Sequence, residues 1–167
     1  MAAKTGTYTL IASNTLGSAT SSITFSSIPA VYTDLILVSQ YFRTTNNSPK
    51  IYFNSDTLSN YSQTVLYGNG TSAASGRDSG GYIWLADYIN ADLTNPACNI
   101  TNILDYSNTS TYKTVLDKGG NAANGIAASA GLWRNTSAIN SIVITATSGN
   151  FNTGSTFKLY GIEAGNL

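Results

Sequence analysis

The 167-residue chain is 42% hydrophobic, which is enough for a core, but only 10% of its residues are charged, against roughly 25% in an ordinary soluble domain. Eight basic and eight acidic residues give a net charge of zero. They form no basic run, which argues against binding to nucleic acid or to an anionic membrane surface. The length predicts a single domain, residues 1–167.

The pattern along the chain predicts an all-β protein. Tyr, Phe, Val, Ile and Thr are frequent, and clusters of Gly, Asn, Ser and Pro separate short runs of them. Residues 34–42 begin with an apolar stretch on both faces, which is typical of a central strand covered on both sides. Residues 68–80 are predicted to form a long flexible loop and residues 118–125 a second polar connection. The predicted strands are 7–12, 22–25, 34–42, 50–53, 63–67, 81–85, 97–106, 112–118, 125–133, 141–147 and 156–162.

This series of short strands without a helix favours an antiparallel β-sandwich. A jelly roll of two four-stranded sheets fits their number and spacing, with an immunoglobulin-like sandwich as the alternative. The usual Cys–Trp–Cys core of the alternative cannot form, because Cys98 is the single cysteine. Cys98 is predicted to be a half-buried strand residue. The strand at 156–162 is expected to pair inside a sheet, with Phe157 and Leu159 facing the core.

The composition argues against an enzyme. The chain has no histidine, so a Ser–His–Asp or Cys–His arrangement is excluded. Its acidic residues form no tight pair, and we predict no catalytic residue, cofactor or metal. The loops at 54–57 and 76–81 offer oxygen ligands for calcium, but each contains a single Asp. A glycosidase that uses two carboxylates is the weaker alternative.

Aromatic residues are the candidate contacts with a partner or a glycan. Tyr82 and Trp84 alternate along one predicted strand and so share a face, which would offer a platform for a sugar if it pointed outward. A core position is the favoured interpretation for Trp84. Trp133, beside Arg134, is a candidate for an interface or a ligand contact. The candidate contacts are therefore Tyr82, Trp84, Trp133 and Arg134.

Three stretches carry a resemblance to a known family: "TYTLIASNTLGSATSSITFSSIPAVYTDLILVSQYFR" (7–43), "IYFNSDTLSNYSQTVLYGNGT" (51–71) and "AINSIVITATSGNFNTGSTFKLYGI" (138–162). Together they resemble small β-sandwich virion proteins of tailed bacteriophages, of the capsid decoration (cement) or fibre-tip type. The middle of the chain, residues 72–137, matches least well, and a surface specific for one partner is expected there.

The resemblance implies a virion structural protein that acts as a homotrimer. The first expectation is a decoration protein on the outer capsid surface, with the major capsid protein lattice as its partner. Strand-like sequence begins by Thr7, and we expect no fibre shaft ahead of it. The sequence also lacks a signal peptide pattern, so we expect synthesis in the cytoplasm of a bacterial host. The alternative is a receptor-binding or carbohydrate-binding module of a tail or head fibre.

Overall fold

A computed structural model describes residues 7–45, 48–89 and 91–163. These residues contain no helix, and therefore none that is long and apolar enough to cross a membrane. They form twelve strands: β1 (Tyr8–Thr15), β2 (Ser22–Phe25), β3 (Asp34–Tyr41), β4 (Lys50–Phe53), β5 (Tyr61–Gly68), β6 (Ala73–Gly80), β7 (Ile83–Trp84), β8 (Ala97–Ile103), β9 (Lys113–Asn121), β10 (Gly125–Trp133), β11 (Ile142–Thr145) and β12 (Thr156–Ile162).

Eight of these strands have the order of a jelly roll. One sheet contains β1-β12-β3-β8 and the other β2-β11-β4-β7, with antiparallel neighbours throughout. Leaving out β5, β6, β9 and β10, the chain passes between these two sheets in the sequence of two Greek keys. The predicted antiparallel β-sandwich is confirmed, and the strand order is that of a jelly roll rather than an immunoglobulin-like sandwich.

Two hairpins extend the first sheet beyond β8. The β9–β10 hairpin pairs with β8, and the β5–β6 hairpin pairs with β10, which gives the order β1-β12-β3-β8-β9-β10-β5-β6. The prediction of two four-stranded sheets was therefore wrong for this sheet, which has eight strands. Both hairpins add to the same edge, so the extension is a continuous four-stranded surface.

The core lies between the two sheets. The four-stranded sheet contributes Phe25, Ile51, Phe53 and Ile144, which are all buried. The eight-stranded sheet packs against them with a row of aliphatic and aromatic residues. These are Leu35, Leu37, Tyr41, Tyr61, Ile103, Val115, Trp133, Phe157 and Leu159. Strand β3 is central, as predicted, since it lies between β12 and β8.

The last strand closes the jelly roll, as the sequence predicts. Strand β12 pairs with β1 on one side and β3 on the other, and Phe157 and Leu159 are fully buried. Gly161 is required because a Cβ there would lie 2.2 Å from the ring of Tyr32. The close neighbour of this glycine is therefore an aromatic side chain.

The segment 68–80 is a turn and a strand instead of a long flexible loop. All eight residues of β6 pair with β5, from Gly68 opposite Ala73 to Tyr61 opposite Gly80. The turn is short because the Asn69 Oδ1 atom accepts the backbone N–H groups of Thr71 (3.1 Å) and Ser72 (2.9 Å). Strand β6 is the exposed edge of the sheet; apart from Arg77 and Asp78 it consists of Ala, Ser and Gly, and it carries no hydrophobic alternation.

Other boundaries also moved. Strand β9 continues to Asn121, so the connection predicted at 118–125 shrinks to the turn after it. The strand predicted at 97–106 ends at Ile103, because a turn follows in which Asp105 has a φ of 49°. The strand predicted at 81–85 is reduced to the two residues of β7.

Candidate binding surfaces

Tyr82 and Trp84 lie on the outer side of the four-stranded sheet. Their ring centroids are 4.9 Å apart at 81°, which agrees with the predicted shared face. Trp84 is half-buried, whereas its neighbours Ile83 and Leu85 are fully buried. The core position favoured for Trp84 was therefore wrong, because the alternation of the strand directs Ile83 inward instead. The Nζ atom of Lys50 lies 4.4 Å from the centroid of the Tyr82 ring.

Trp133 and Arg134 are occupied within the chain. The Trp133 ring is fully buried against Phe53 and Tyr61, and its Nε1 atom donates to the Asp56 Oδ2 atom at 2.8 Å. Trp133 cannot touch a partner or a glycan, and that prediction was wrong. The Arg134 guanidinium donates to the hydroxyl of Ser62 (2.8 Å) and to the carbonyl of Tyr61 (3.1 Å), so it holds β5.

A second group of aromatic residues extends the Tyr82–Trp84 pair toward β6. Tyr88 is 54% exposed and stacks on Tyr67, with ring centroids 4.1 Å apart. The Trp84 Nε1 atom donates to the Asp78 Oδ2 atom of β6 at 2.7 Å, and the Tyr88 hydroxyl lies beside Gly76 of the same strand, so both aromatic pairs lie against β6. We call Tyr67, Tyr82, Trp84 and Tyr88, together with Asp78 and Asp87, the β6–β7 aromatic cluster.

Asp87 is the unusual carboxylate of this cluster. Its burial raises its pKa to about 6, and the charge of Asp78 acts in the same direction. The Gln63 Nε2 atom lies 3.5 Å from the Asp87 Oδ2 atom. The Gln63 Oε1 atom accepts a hydrogen bond from the backbone N–H of Trp84 at 2.7 Å. Gln63 is itself buried, so the arrangement presents aromatic faces beside the carboxylates of Asp78 and Asp87, which can stack on a sugar ring and bond its hydroxyls.

The remaining acidic loops bind their own backbone. Asp56 accepts bonds from Leu58, Asn60 and Trp133, and Asp92 accepts the N–H groups of Thr94 and Asn95. Among the described residues, no group of three or more Cys, Asp and Glu residues could hold a metal ion. The calcium loops considered at 54–57 and 76–81 are thus a turn organised by Asp56 and the end of β6.

Asp117 is a buried carboxylate that the sequence analysis missed. It accepts the backbone N–H of Ala86 (2.7 Å), the hydroxyl of Thr101 (2.6 Å) and the amide of Asn99 (3.1 Å). Its burial raises its pKa. In "YKTVLDKGG", Asp117 alternates with Lys113 and Val115, and all three are buried. That alternation with Val115 is the sequence signal that the side chain of Asp117 points into the core.

The side of the eight-stranded sheet that points away from the core is the larger candidate surface. We call it the outer sheet face. Register places its residues in rows across the sheet; among the residues named below Ile36 is buried, and the others are partly or largely exposed. One row contains Lys158, Val38, Ile100, Lys118, Ala128, Leu66 and Ser75, and the next contains Leu10, Tyr160, Ile36, Asn102, Leu116, Ala130, Thr64 and Arg77.

The outer sheet face is apolar and exposed, above all in the extension. Leu66 and Ile126 are 65% and 67% exposed, and Leu116 and Ile100 are 45% and 40% exposed. A monomeric protein rarely leaves such a contiguous apolar patch in water unless it serves an interaction. Cys98 also lies on this face and is exposed, so its predicted half-burial was wrong.

A groove crosses the outer sheet face at the β9–β10 turn. It has a volume of about 640 Å³ and is lined by Ile100, Ile126, Gly68 and Gly120, among others. The two glycines leave the backbone low between the two isoleucines, so the groove can accept an apolar side chain of a partner. A shallower depression lies between Leu66 and Ile126, on the same face.

The charges on this face are mostly positive. Register places Lys118, Lys158 and Arg77 on it, and the one acidic residue in its rows is Asp34 at the start of β3. The Asp34 carboxylate accepts the backbone N–H of Asp105 at 2.8 Å. The face therefore combines aliphatic side chains with two exposed lysines: Lys118 lines the groove, and Lys158 lies on β12, the second strand from the other edge.

Comparison with models of protein families, with curated proteins and with solved structures gave no significant match.

Proposed function

We propose that this chain is a structural protein of a phage virion, namely a decoration protein that binds the outer capsid lattice and stabilises it. The outer sheet face carries the proposal. A stably folded jelly roll with an exposed apolar face is suited to bind a large protein surface, and a capsid offers such a surface in many copies. The trimeric state expected from the resemblance is part of the proposal.

The three stretches that resemble phage virion proteins support the same function. They coincide with β1 to β3, with β4 and β5, and with β11 and β12, which supply six strands of the jelly roll. Most of the extension lies in the less similar middle of the chain, since β6, β9 and β10 fall within 72–137. A shared framework with a variable extension is what a family of partner-specific binding proteins would need.

Localisation on particles tests the proposal. Gold-labelled antibodies against the chain are expected to label the capsid of intact particles at many positions. Particles from a phage that lacks the gene are expected to lose their DNA at a lower temperature. Label on the tail alone, or an unchanged temperature of DNA release, would contradict the proposed function.

The β6–β7 aromatic cluster favours a second candidate function, a carbohydrate-binding module of a fibre. Exposed Tyr88 and half-buried Trp84 lie beside the carboxylates of Asp78 and Asp87. Binding to host surface polysaccharide is then expected, and Trp84→Ala or Tyr88→Ala should abolish it. Tyr112→Ala, at another exposed tyrosine, is the control. No binding at millimolar sugar would reject this candidate.

A further inference from the structure

We infer that the outer sheet face is the surface that contacts the capsid, and that it selects an apolar capsid surface that carries carboxylates. The inference rests on the proposed function and adds the location of the contact and the chemistry of the partner.

The apolar part of the contact follows from the side chains of β8 and of the extension. Leu66, Ile100, Leu116 and Ile126 lie on four adjacent strands, and each exposes a large part of its surface. The groove of about 640 Å³ lies among them. Interfaces are most apolar at their centre, where side chains of one protein fill depressions in the other. This region therefore forms the centre of the contact.

The carboxylates on the partner follow from the lysines. Lys158 and Lys118 belong to the same row across the sheet, and Val38 and Ile100 lie between them. At the normal spacing of strands their Cα atoms are about 14 Å apart. Lys118 borders the groove at the centre of the contact, so the face favours a partner that places a carboxylate opposite it, which increases the rate of association and the selectivity.

The same charges argue against a second copy of this face as the occupant. In a two-fold contact each surface meets itself, so both pairs of lysines would enter one interface. The face supplies one carboxylate, that of Asp34 at the start of β3, against the three basic side chains of Lys118, Lys158 and Arg77. A different surface, with the opposite charge, is therefore the better partner.

Binding to capsids that lack the chain tests the inference. Purified wild-type chain is added to particles from a phage without the gene, and the bound fraction is measured by sedimentation. Leu66→Glu and Lys118→Glu are each expected to lower the affinity by about tenfold or more, because they place a charge in the apolar centre or reverse the charge that borders the groove. Thr24→Glu, at an exposed position of the four-stranded sheet, is the matched control and should bind like the wild type.

The test of the carboxylates uses charge and salt. Lys118→Gln is expected to bind with an affinity between those of the wild type and Lys118→Glu, and added salt should weaken the wild type more than Lys118→Gln. Equal affinity of wild type and Lys118→Gln at every salt concentration would overturn the carboxylate claim. Circular dichroism of each variant verifies that the fold is retained.

The other outcomes separate the two proposals. If the wild type binds and Leu66→Glu binds equally well, the outer sheet face is not the contact, and the decoration function stands. If the wild type does not bind the particles, the decoration function is wrong and the capsid is excluded as occupant of the face. If the wild type self-associates in solution and Leu66→Glu is monomeric, a second copy covers the face and the inference is wrong.

Discussion

Asp117 keeps its carboxylate inside the protein with neutral donors: a backbone N–H, a hydroxyl and an amide. These bonds compensate part of the cost of burying a charge, but burial still raises the pKa of Asp117. The neutral form is thus favoured in the folded protein compared with the unfolded chain, whose Asp pKa is about 3.9. Asp87 shows the same effect at a half-buried position, with a pKa of about 6.

We expect stability to fall as the pH rises above about 4, because both carboxyl groups bind their protons more tightly in the folded state. Their contribution is complete below the unfolded pKa and is lost as the pH rises through each folded pKa, which for Asp87 is about 6. Urea unfolding at a series of pH values measures the decline. Asp117→Asn and Asp87→Asn should each reduce it, and their double variant should reduce it further. A decline of equal size in both single variants and in the wild type would contradict this assignment.

Gly161 gives a second prediction at the residue scale. A methyl group at this position would lie 2.2 to 2.5 Å from three ring carbons of Tyr32, so either the ring or β12 must move. We expect Gly161→Ala to lower the free energy of unfolding by about 1–3 kcal/mol. Gly17→Ala is the control, since nothing lies within 4 Å of the added methyl group. Chemical denaturation measures both, and equal effects of the two would refute the close contact.

At the scale of elements, β6 has the least support from its own side chains. The conformation of β6 is held by its pairing with β5 and by the turn at Asn69, whose Oδ1 atom accepts hydrogen bonds from two backbone N–H groups. We expect Asn69→Ala to accelerate amide hydrogen exchange over residues 73–80, because the turn loses these bonds. Strands β1 and β12, at the other end of the sheet, should keep their exchange rates. Fast exchange of β6 in the wild type would contradict its pairing.

The same contrast explains what the sequence could predict. Strands such as β2, β4 and β12 bury alternate residues, so hydrophobic alternation located them within a residue or two. Strand β6 buries almost nothing, and its composition resembles that of a loop. The pairing of Tyr82 with Trp84 followed from alternation, whereas the burial of Trp133 depends on β4 and β5, which local sequence does not bring together. The outer sheet face was missed because it requires the register of eight strands.

At the scale of the whole molecule, the jelly roll and its extension share one core. Trp133 of β10 packs on Tyr61 of β5 and on Phe53 of the four-stranded sheet, with ring centroids 6.1 and 5.5 Å away. The extension therefore cannot detach without exposing the centre of the jelly roll. Its rigidity keeps the outer sheet face preorganised for a partner.

We expect the two parts to unfold together. In Trp84→Phe the remaining tryptophan, Trp133, reports on the junction by its fluorescence, while circular dichroism reports on all strands. The two signals should have the same midpoint in urea, because the junction is part of the common core. Two separated transitions would show that the extension is an independent unit. Trp133→Phe serves as the control for the fluorescence of Trp84.

The insertion of both hairpins at one edge of the sheet also bears on how the chain is made. Thr64 of β5 pairs with Ala130 of β10, which the ribosome adds about 66 residues later. At roughly 5–20 residues per second, the β5–β6 hairpin waits for several seconds before its partner strand exists. During that time the hairpin has unpaired strand edges, with which the strands of neighbouring nascent chains could pair. Apart from Arg77 and Asp78, β6 consists of Ala, Ser and Gly, so its edge of the hairpin offers a neighbouring chain little apolar surface during synthesis.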